Sequence, residues 1–239
     1  MRYALYFTPD ADSSLNTTAA SWLGRDVLGS EPEPVDLPPG ILKEEWKNWT
    51  AEPRRYGFHA TLVAPFRLRS DLNETDVVAE AEALANRQTA FTMPQMAVTS
   101  LGRFIALTLM TECSSLQELA ADAVDQFTPL RAPLTDADIA RRRPELLTER
   151  QRDYLTRFGY PYVRDEFRFH FSLTGSLAAV EDQRLEPYLQ SYFTATLQQP
   201  LQFDSVSLFI EPEPGAPFLF HSRHRFPAGA TMKSVSHAP

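Results

Sequence analysis

Two short apolar segments of the sequence each place a histidine two residues before a hydroxyl side chain. The first, FHATL, contains His59 and Thr61, and the second, FHFSL, contains His170 and Ser172. Side chains at positions i and i+2 of a strand share one face, so each imidazole would lie beside a hydroxyl. A single histidine of this kind is most simply a core residue that hydrogen-bonds to a neighbour. A second copy in an equivalent context indicates a common role.

The chemistry that suits two such pairs is proton transfer during displacement at phosphorus. The unperturbed pKa of imidazole lies near neutrality, so a neutral histidine can accept a proton from water while a protonated one gives a proton to a leaving oxygen. The hydroxyls of Thr61 and Ser172 can donate hydrogen bonds to non-bridging phosphoryl oxygens, where negative charge accumulates. A twofold arrangement of base and acid matches in-line displacement without a metal ion. The residues leave open whether His59 or His170 is the base.

The elements that must position these motifs follow the same order in both halves of the chain. After His59, and again after His170, the apolar periodicity and the turn residues predict a helix, a strand, a turn and a strand. We therefore predict an internal duplication in the α+β class, with two lobes that each contain an antiparallel sheet and helices, and an active-site cleft between them on a pseudo-twofold axis. The expected parts of this single two-lobed domain (1–239) are lobe 1 (1–128), a connector (129–147), lobe 2 (148–228) and a flexible tail (229–239).

Longer stretches around the motifs carry a resemblance to a known group. The paired motifs resemble those of the two-histidine (2H) phosphoesterase superfamily. The stretches PRRYGFHATLVAPF, RRRPELLTERQRDYLTRFGYPYVRDEFRFHFSLTG and IEPEPGAPF are similar to an uncharacterised branch associated with phosphonate metabolism. The resemblance implies catalytic roles for His59, Thr61, His170 and Ser172. Many members have a basic residue shortly after the first motif, where this chain has Val63, and this departure directs attention to arginines elsewhere.

The function that this resemblance implies is that of an enzyme, a phosphoric diester hydrolase of the 2H cyclic phosphodiesterase type, with no metal and no cofactor. Its substrate would be a small phosphorylated sugar or nucleotide that carries a cyclic phosphate, and the association with phosphonate breakdown suggests 5-phosphoribosyl 1,2-cyclic phosphate. Two alternatives stay open: an RNA 2',3'-cyclic phosphodiesterase, and a non-catalytic module that binds a phosphorylated metabolite.

Arginines and tyrosines near the motifs are candidates for substrate binding, because the guanidinium group is the preferred planar partner of phosphate oxygens. Arg168 precedes His170 by two residues and would share its face of the strand. Arg55 lies just before the first motif, and we expect both arginines to contact the phosphates of a doubly phosphorylated substrate. The other candidates, for which surface ion pairs or ordinary packing are the alternatives, are Arg54, Tyr56, Arg143, Tyr160 and Tyr162.

Composition limits the partners and the compartment. The 239 residues carry a net charge of −8, which argues against a binder of duplex nucleic acid, and no apolar run has the length of a membrane span. One cysteine, Cys113, fits a reducing compartment, and the start MRYALYFTPDAD lacks the features of a secretory signal, so we expect a cytoplasmic monomer. The sequence shows no cluster of metal-ligand spacing. Residues 30–54, rich in proline and acidic residues, are expected to form a loop.

Overall fold

The fold belongs to the α+β class, as the sequence predicts, with a large antiparallel sheet. The computed structural model describes residues 1–28, 32–33 and 35–228, so the expected tail over 229–239 lies outside the described residues. None of the helices in the described ranges has the length and apolar character of a membrane span. In chain order, the helices and strands are β1 (Arg2–Phe7), α1 (Ser14–Leu23), α2 (Lys43–Tyr56), β2 (Ala60–Phe66), α3 (Glu74–Asn86), β3 (Phe91–Thr92), β4 (Met96–Leu101), β5 (Phe104–Leu109), α4 (Ser114–Phe127), α5 (Asp136–Arg141), α6 (Glu149–Phe158), β6 (His170–Ser172), α7 (Ala179–Leu197), β7 (Gln202–Phe203), β8 (Ser205–Glu211) and β9 (Leu219–Arg225).

Seven strands form one sheet in the order β4-β5-β6-β2-β1-β8-β9, while β3 pairs with β7. The strands of the two motifs, β2 and β6, are therefore neighbours near the centre of the sheet. The hairpin β4–β5 comes from the first half of the chain but pairs with β6, and the hairpin β8–β9 comes from the second half but pairs with β1. The two lateral groups of strands, β4-β5-β6 and β2-β1-β8-β9, thus each contain strands from both halves of the sequence. The boundaries of the two lobes stay a prediction.

Alternation along the central strands separates a core face of the sheet from an open face. Leu5 and Phe7 of β1, Ala60 of β2 and Phe171 of β6 belong to the main hydrophobic core, which also includes apolar residues of helices α3, α4 and α7. Successive side chains of a strand point to opposite faces, so the residues between these core positions point away from the helices. The histidines and hydroxyls of both motifs occupy such positions and lie on the open face.

Helix α2 occupies part of the segment that its composition predicts to be a loop. Its buried residues Trp46, Trp49 and Pro53 recur at helical spacing, and burial of this apolar stripe outweighs the acidic residues and the proline. The helix ends at Tyr56 and is capped by Gly57, whose positive φ of 75° favours glycine. This turn leads directly into His59, so the end of α2 fixes where the first motif begins.

The expected connector contains helix α5, which carries arginines towards the open face. The Thr135 hydroxyl accepts a hydrogen bond from the Asp138 backbone N–H at 3.2 Å, and the Asp138 carboxylate accepts one from the Thr135 backbone N–H at 3.1 Å. This reciprocal cap starts the helix. Just after its end, the guanidinium of Arg142 lies 4.7 Å from the ring centroid of Tyr160. The connector is therefore folded and lies beside the sheet.

Candidate active site

The four motif residues meet where β2 pairs with β6. Antiparallel pairing at the middle residue of each motif sets the register, with Ala60 opposite Phe171. Side chains directly opposite each other on such strands have Cβ atoms roughly 4.5–5.5 Å apart. One step to either side, a histidine of one motif faces the hydroxyl residue of the other, which gives the pairs His59–Ser172 and Thr61–His170. The register therefore surrounds each imidazole with one hydroxyl from its own strand and one from the neighbouring strand.

Each of the two histidines hydrogen-bonds to the backbone carbonyl oxygen of the residue two positions before it. Nδ1 of His59 lies 2.9 Å from the Gly57 carbonyl oxygen, and Nδ1 of His170 lies 2.7 Å from the Arg168 carbonyl oxygen. A carbonyl oxygen can only accept, so each Nδ1 carries a proton and donates it. In the neutral imidazole, Nε2 then holds the free lone pair. For His59, Nε2 lies 3.3 Å from the hydroxyl oxygen of Thr61.

Packing around the imidazoles favours their neutral forms. The ring centroid of His59 lies 4.0 Å from that of Tyr6 and 5.5 Å from that of Tyr56. Burial lowers the pKa of His59 to about 4; the hydrogen bond to Gly57 opposes this shift and the charge of nearby His170 adds to it. Burial also lowers the pKa of His170, against the hydrogen bond to the Arg168 carbonyl. At neutral pH both histidines of the free protein are therefore mainly uncharged.

A cleft of about 550 Å³ lies over the first motif and reaches the second. Its lining includes His59, Thr61 and Ser172, together with the charged side chains Arg2, Glu52, Arg55, Arg141 and Arg142. An adjoining cavity of about 490 Å³ is lined by His170 and shares Thr61, Phe104 and Tyr160 with the cleft. The lining contains four arginines and one glutamate; Glu211 pairs with Arg2 and Arg55, and Asp138 pairs with Arg141, so a smaller net positive charge remains, although the whole chain is acidic. This charge suits an anionic ligand.

Five of the seven expected substrate-binding residues line one of these cavities. Arg55, Tyr56 and Tyr160 line the cleft, and Arg168 and Tyr162 line the adjoining cavity together with Tyr160. Arg168 therefore shares a cavity with His170, as their spacing predicts. The roles of these residues stay predictions.

The remaining two candidates, Arg54 and Arg143, are not brought to the cavities. Nε of Arg54 donates to the Leu23 carbonyl oxygen at 2.6 Å, and its guanidinium lies 4.8 Å from the Trp46 ring centroid, so it ties α2 to α1. Consecutive residues of a helix point about 100° apart, so Arg55 faces the cleft and Arg54 does not. Arg143 follows α5 with a left-handed φ of 47° and is exposed, whereas the preceding Arg142 lines the cleft.

A buried carboxylate holds two of the cleft arginines. Glu211, at the end of β8, is fully buried and pairs with both Arg2 and Arg55. It also accepts a hydrogen bond from the Gly215 N–H at 2.9 Å, while Nε of Arg55 donates to the Ala216 carbonyl oxygen at 3.0 Å. Burial would raise the pKa of Glu211, but these partners outweigh it and lower the pKa. The segment IEPEPGAPF thus positions arginines at the cleft.

Sequence reasoning missed the contribution of the first strand. The alternation in β1 correctly indicates that Tyr3, Leu5 and Phe7 share one face, but the opposite face carries Arg2 and Tyr6, which both line the cleft. The signal was available, because an arginine and a tyrosine at spacing four on a strand lie on the same side. What the sequence lacked was the position of β1 beside the first motif strand.

Among the described ranges, no three His, Cys, Asp or Glu side chains are grouped to hold a metal ion.

The sheet, the paired motifs and the arginines define an α+β protein with a cationic cleft. The chain belongs to the family described as "Protein of unknown function (DUF1045)", whose model matches residues 61–219. Solved structures similar to it include Escherichia coli LigT complexed with 3'-AMP, at 13% identity and a TM-score of 0.44, covering 94% of this chain and 97% of that chain. A structure described as a phosphoesterase is 12% identical with a TM-score of 0.42, covering 94% of this chain and 98% of that chain.

Two curated relatives carry the name ribose 1,5-bisphosphate phosphokinase PhnN. The relative from Janthinobacterium sp. (strain Marseille) is 37% identical over 241 residues, which is 99% of this chain and 53% of the relative. The relative from Laribacter hongkongensis (strain HLHK9) is 36% identical over 218 residues, which is 91% of this chain and 50% of the relative. The chain therefore spans about half the length of these relatives.

Proposed function

We propose that this chain is a two-histidine phosphodiesterase that hydrolyses a small cyclic phosphate without a metal ion. The observation that carries the proposal is the register of β2 and β6, which pairs His59 with Ser172 and Thr61 with His170 on one face. Both imidazoles use Nδ1 for a backbone carbonyl and keep Nε2 for a substrate. The cationic lining of the cleft supports an anionic substrate.

The proposed reaction is in-line attack of water on phosphorus. Nε2 of neutral His59 accepts a proton from water as the new oxygen–phosphorus bond forms, because its lowered pKa keeps it uncharged. On the other side of phosphorus, protonated His170 donates its proton to the leaving ester oxygen as the ring bond breaks. The negative charge of the bound phosphate raises the pKa of His170 and so supplies the protonated form. The Thr61 and Ser172 hydroxyls donate to the non-bridging oxygens. Proton exchange with solvent restores both histidines.

The substrate we propose is 5-phosphoribosyl 1,2-cyclic phosphate. Water that opens its ring between phosphorus and O2 leaves phosphates on C1 and C5, which is ribose 1,5-bisphosphate, the compound in the name of the curated relatives. The chain covers about half of those relatives, so the name does not by itself assign the kinase activity to this half. A substrate with two phosphates also suits a cleft lined by four arginines.

Phosphorus NMR with purified protein tests the reaction and the bond that breaks. We expect 5-phosphoribosyl 1,2-cyclic phosphate to become ribose 1,5-bisphosphate in the presence of EDTA. Nucleoside 2',3'-cyclic phosphates serve as competing substrates, and a clear preference for them would favour the RNA-type alternative. Saturable binding of the cyclic phosphates without turnover would favour a binding module. ATP-dependent consumption of ribose 1,5-bisphosphate would assign the kinase reaction to this chain.

Substitutions of the two histidines test the mechanism. His59→Ala and His170→Ala should each lower kcat by about 10²–10⁴-fold, as expected for the loss of one proton-transfer group. His224→Ala is the matched control, because His224 lies on the edge strand β9 and contacts Ser222, outside both cavities. Near-wild-type turnover in either motif variant, with circular dichroism showing an intact fold, would refute the two-histidine mechanism.

A further inference from the structure

A small arginine-rich pocket opens beside the cleft. It has a volume of about 20 Å³ and shares Arg2, Pro65, Arg141 and Arg142 with the cleft, so the two form one connected depression. Its wall includes five arginines, which are Arg2, Arg67, Arg131, Arg141 and Arg142. So many guanidinium groups around so small a space repel one another unless anions lie between them.

Two carboxylates, Asp138 in the pocket wall and Glu211 paired with Arg2, offset only part of the charge of the five arginines. The two oxygens of Asp138 are already paired, one with Arg67 at 2.9 Å and the other with Arg141 at 2.6 Å. Arg131 and Arg142 lie instead over aromatic rings, those of Phe66 at 5.4 Å and Tyr160 at 4.7 Å. Burial, and then the charge of Arg142, lowers the pKa of Arg131 to about 10. An anion placed between these groups would relieve their repulsion.

The hydroxyl of Tyr6 is a second, independent indication of a missing ligand. Tyr6 is fully buried and lines the cleft, and among the described residues its hydroxyl has no hydrogen-bond partner. A buried hydroxyl without a partner is costly, and nearly all such groups in proteins are satisfied. Burial raises the pKa of Tyr6, so the hydroxyl keeps its proton and can donate it. On β1, Tyr6 shares the face of Arg2, which lines both the cleft and the pocket.

We propose that Arg2, Arg141, Arg142 and the Tyr6 hydroxyl form a subsite for a second phosphate group of the substrate, distinct from the phosphate that reacts between the histidines. This inference rests on the proposed function. It places the 5-phosphate of the proposed substrate where the cleft and the pocket meet. Arg2 and Arg55 both pair with Glu211, but Arg2 lines both the cleft and the pocket. Arg55 lines the cleft alone and also donates to the Ala216 carbonyl oxygen, so it is the less suited of the two. Arg168 lines the adjoining cavity with His170 and does not line the pocket.

Binding of ribose 5-phosphate tests the subsite without any need for turnover. Isothermal titration calorimetry should show binding to wild type, and Arg142→Gln should weaken it by about 10- to 100-fold, as expected for the loss of a charge-assisted contact. Tyr6→Phe removes only the unpartnered hydroxyl, so it should weaken binding by about 3- to 10-fold without lowering the melting temperature. Arg150→Gln is the matched control, because Arg150 is exposed and pairs with Asp165 away from both cavities. Ribose without phosphate should not bind.

Kinetics separate failure of the subsite from failure of the proposed function. For Arg142→Gln, kcat/KM should fall by about 10- to 100-fold on 5-phosphoribosyl 1,2-cyclic phosphate and stay within about twofold on ribose 1,2-cyclic phosphate. Equal losses on both substrates, or a loss with Arg143→Gln in place of Arg142→Gln, would overturn the subsite while leaving the phosphodiesterase. If no cyclic phosphate is hydrolysed but Arg142→Gln still weakens ribose 5-phosphate binding, the proposed function fails and the subsite stands. No binding of ribose 5-phosphate to wild type would overturn the subsite.

Discussion

The half-buried imidazole of His59, packed against Tyr6, should make the stability of this protein depend on pH in a predictable direction. Its pKa is lowered from 6.5 to about 4 by burial. Between those two pH values the unfolded chain binds a proton at this position and the folded chain does not. The free energy of unfolding therefore falls as the pH drops below 6.5, and the contribution levels off below pH 4. A difference of 2.5 pH units corresponds to about 3 kcal/mol in total, of which about 2 kcal/mol is lost at pH 5.

The comparison that isolates this effect is wild type against His59→Asn. The asparagine amide keeps a donor near the position of Nδ1, which hydrogen-bonds to the Gly57 carbonyl oxygen, but it does not titrate. Urea unfolding at pH 8 and pH 5 should show a loss of stability that is about 2 kcal/mol larger in wild type than in the variant. Contributions from His170 and His224, whose pKa values burial also lowers, are common to both proteins.

The result that would refute this reasoning is an equal loss of stability in wild type and His59→Asn between the two pH values. It would mean that water or a local opening already reaches the imidazole of His59, so that burial does not lower its pKa. Activity gives a second readout: if His59 is the base, the acid limb of kcat/KM should lie near pH 4, because that limb reports the free enzyme.

Further expectations concern other parts of the site. Thr61→Val should lower kcat by about 100-fold in steady-state assays with little effect on urea unfolding, because it removes a donor to the phosphoryl oxygens; unchanged kcat would remove that role. Glu211→Gln should lower the free energy of unfolding by about 3 kcal/mol, because Arg2 and Arg55 lose their shared buried counterion. A variant as stable as wild type would contradict this stabilising role of Glu211. Arg54→Ala should lower the melting temperature but leave kcat/KM within about twofold on every substrate. A loss of kcat/KM on one substrate alone would mean that Arg54 contacts that substrate in the cleft. Prolonged dialysis against EDTA should leave activity unchanged, and recovery of a lost activity by one divalent ion would end the metal-free mechanism.

Local patterns in the sequence were sufficient to predict the α+β class and the spacing within each motif. A strand has a side-chain period of two, so the pairing of His59 with Thr61 follows from their positions alone. The same period places Leu5 and Phe7 on one face of the first strand, and both belong to the main hydrophobic core. The segment 30–54 shows the limit of composition, because proline and acidic residues suggested a loop where a stripe of buried residues on α2 forms a helix.

Long-range pairing decided everything that brings the two motifs together. The sequence reveals the hairpins β4–β5 and β8–β9 through their turns, but it does not say which strand each hairpin joins, because that choice depends on contacts between residues far apart in the chain. The structure places β6 beside β2, and only this register puts His59 opposite Ser172. It also brings Arg2 and Tyr6 to the cleft.

The sequence by itself determined the chemistry that is available: two imidazoles, two hydroxyls and a supply of arginines, because residue type and local spacing are written in it directly. The tertiary structure alone decided which arginines serve the cleft. Neighbours such as Arg54 and Arg55, or Arg142 and Arg143, carry the same guanidinium group. The two members of each pair differ only in the direction in which their side chains point. That direction is set by how a helix or turn packs on the sheet, a property of contacts between distant segments rather than of either residue.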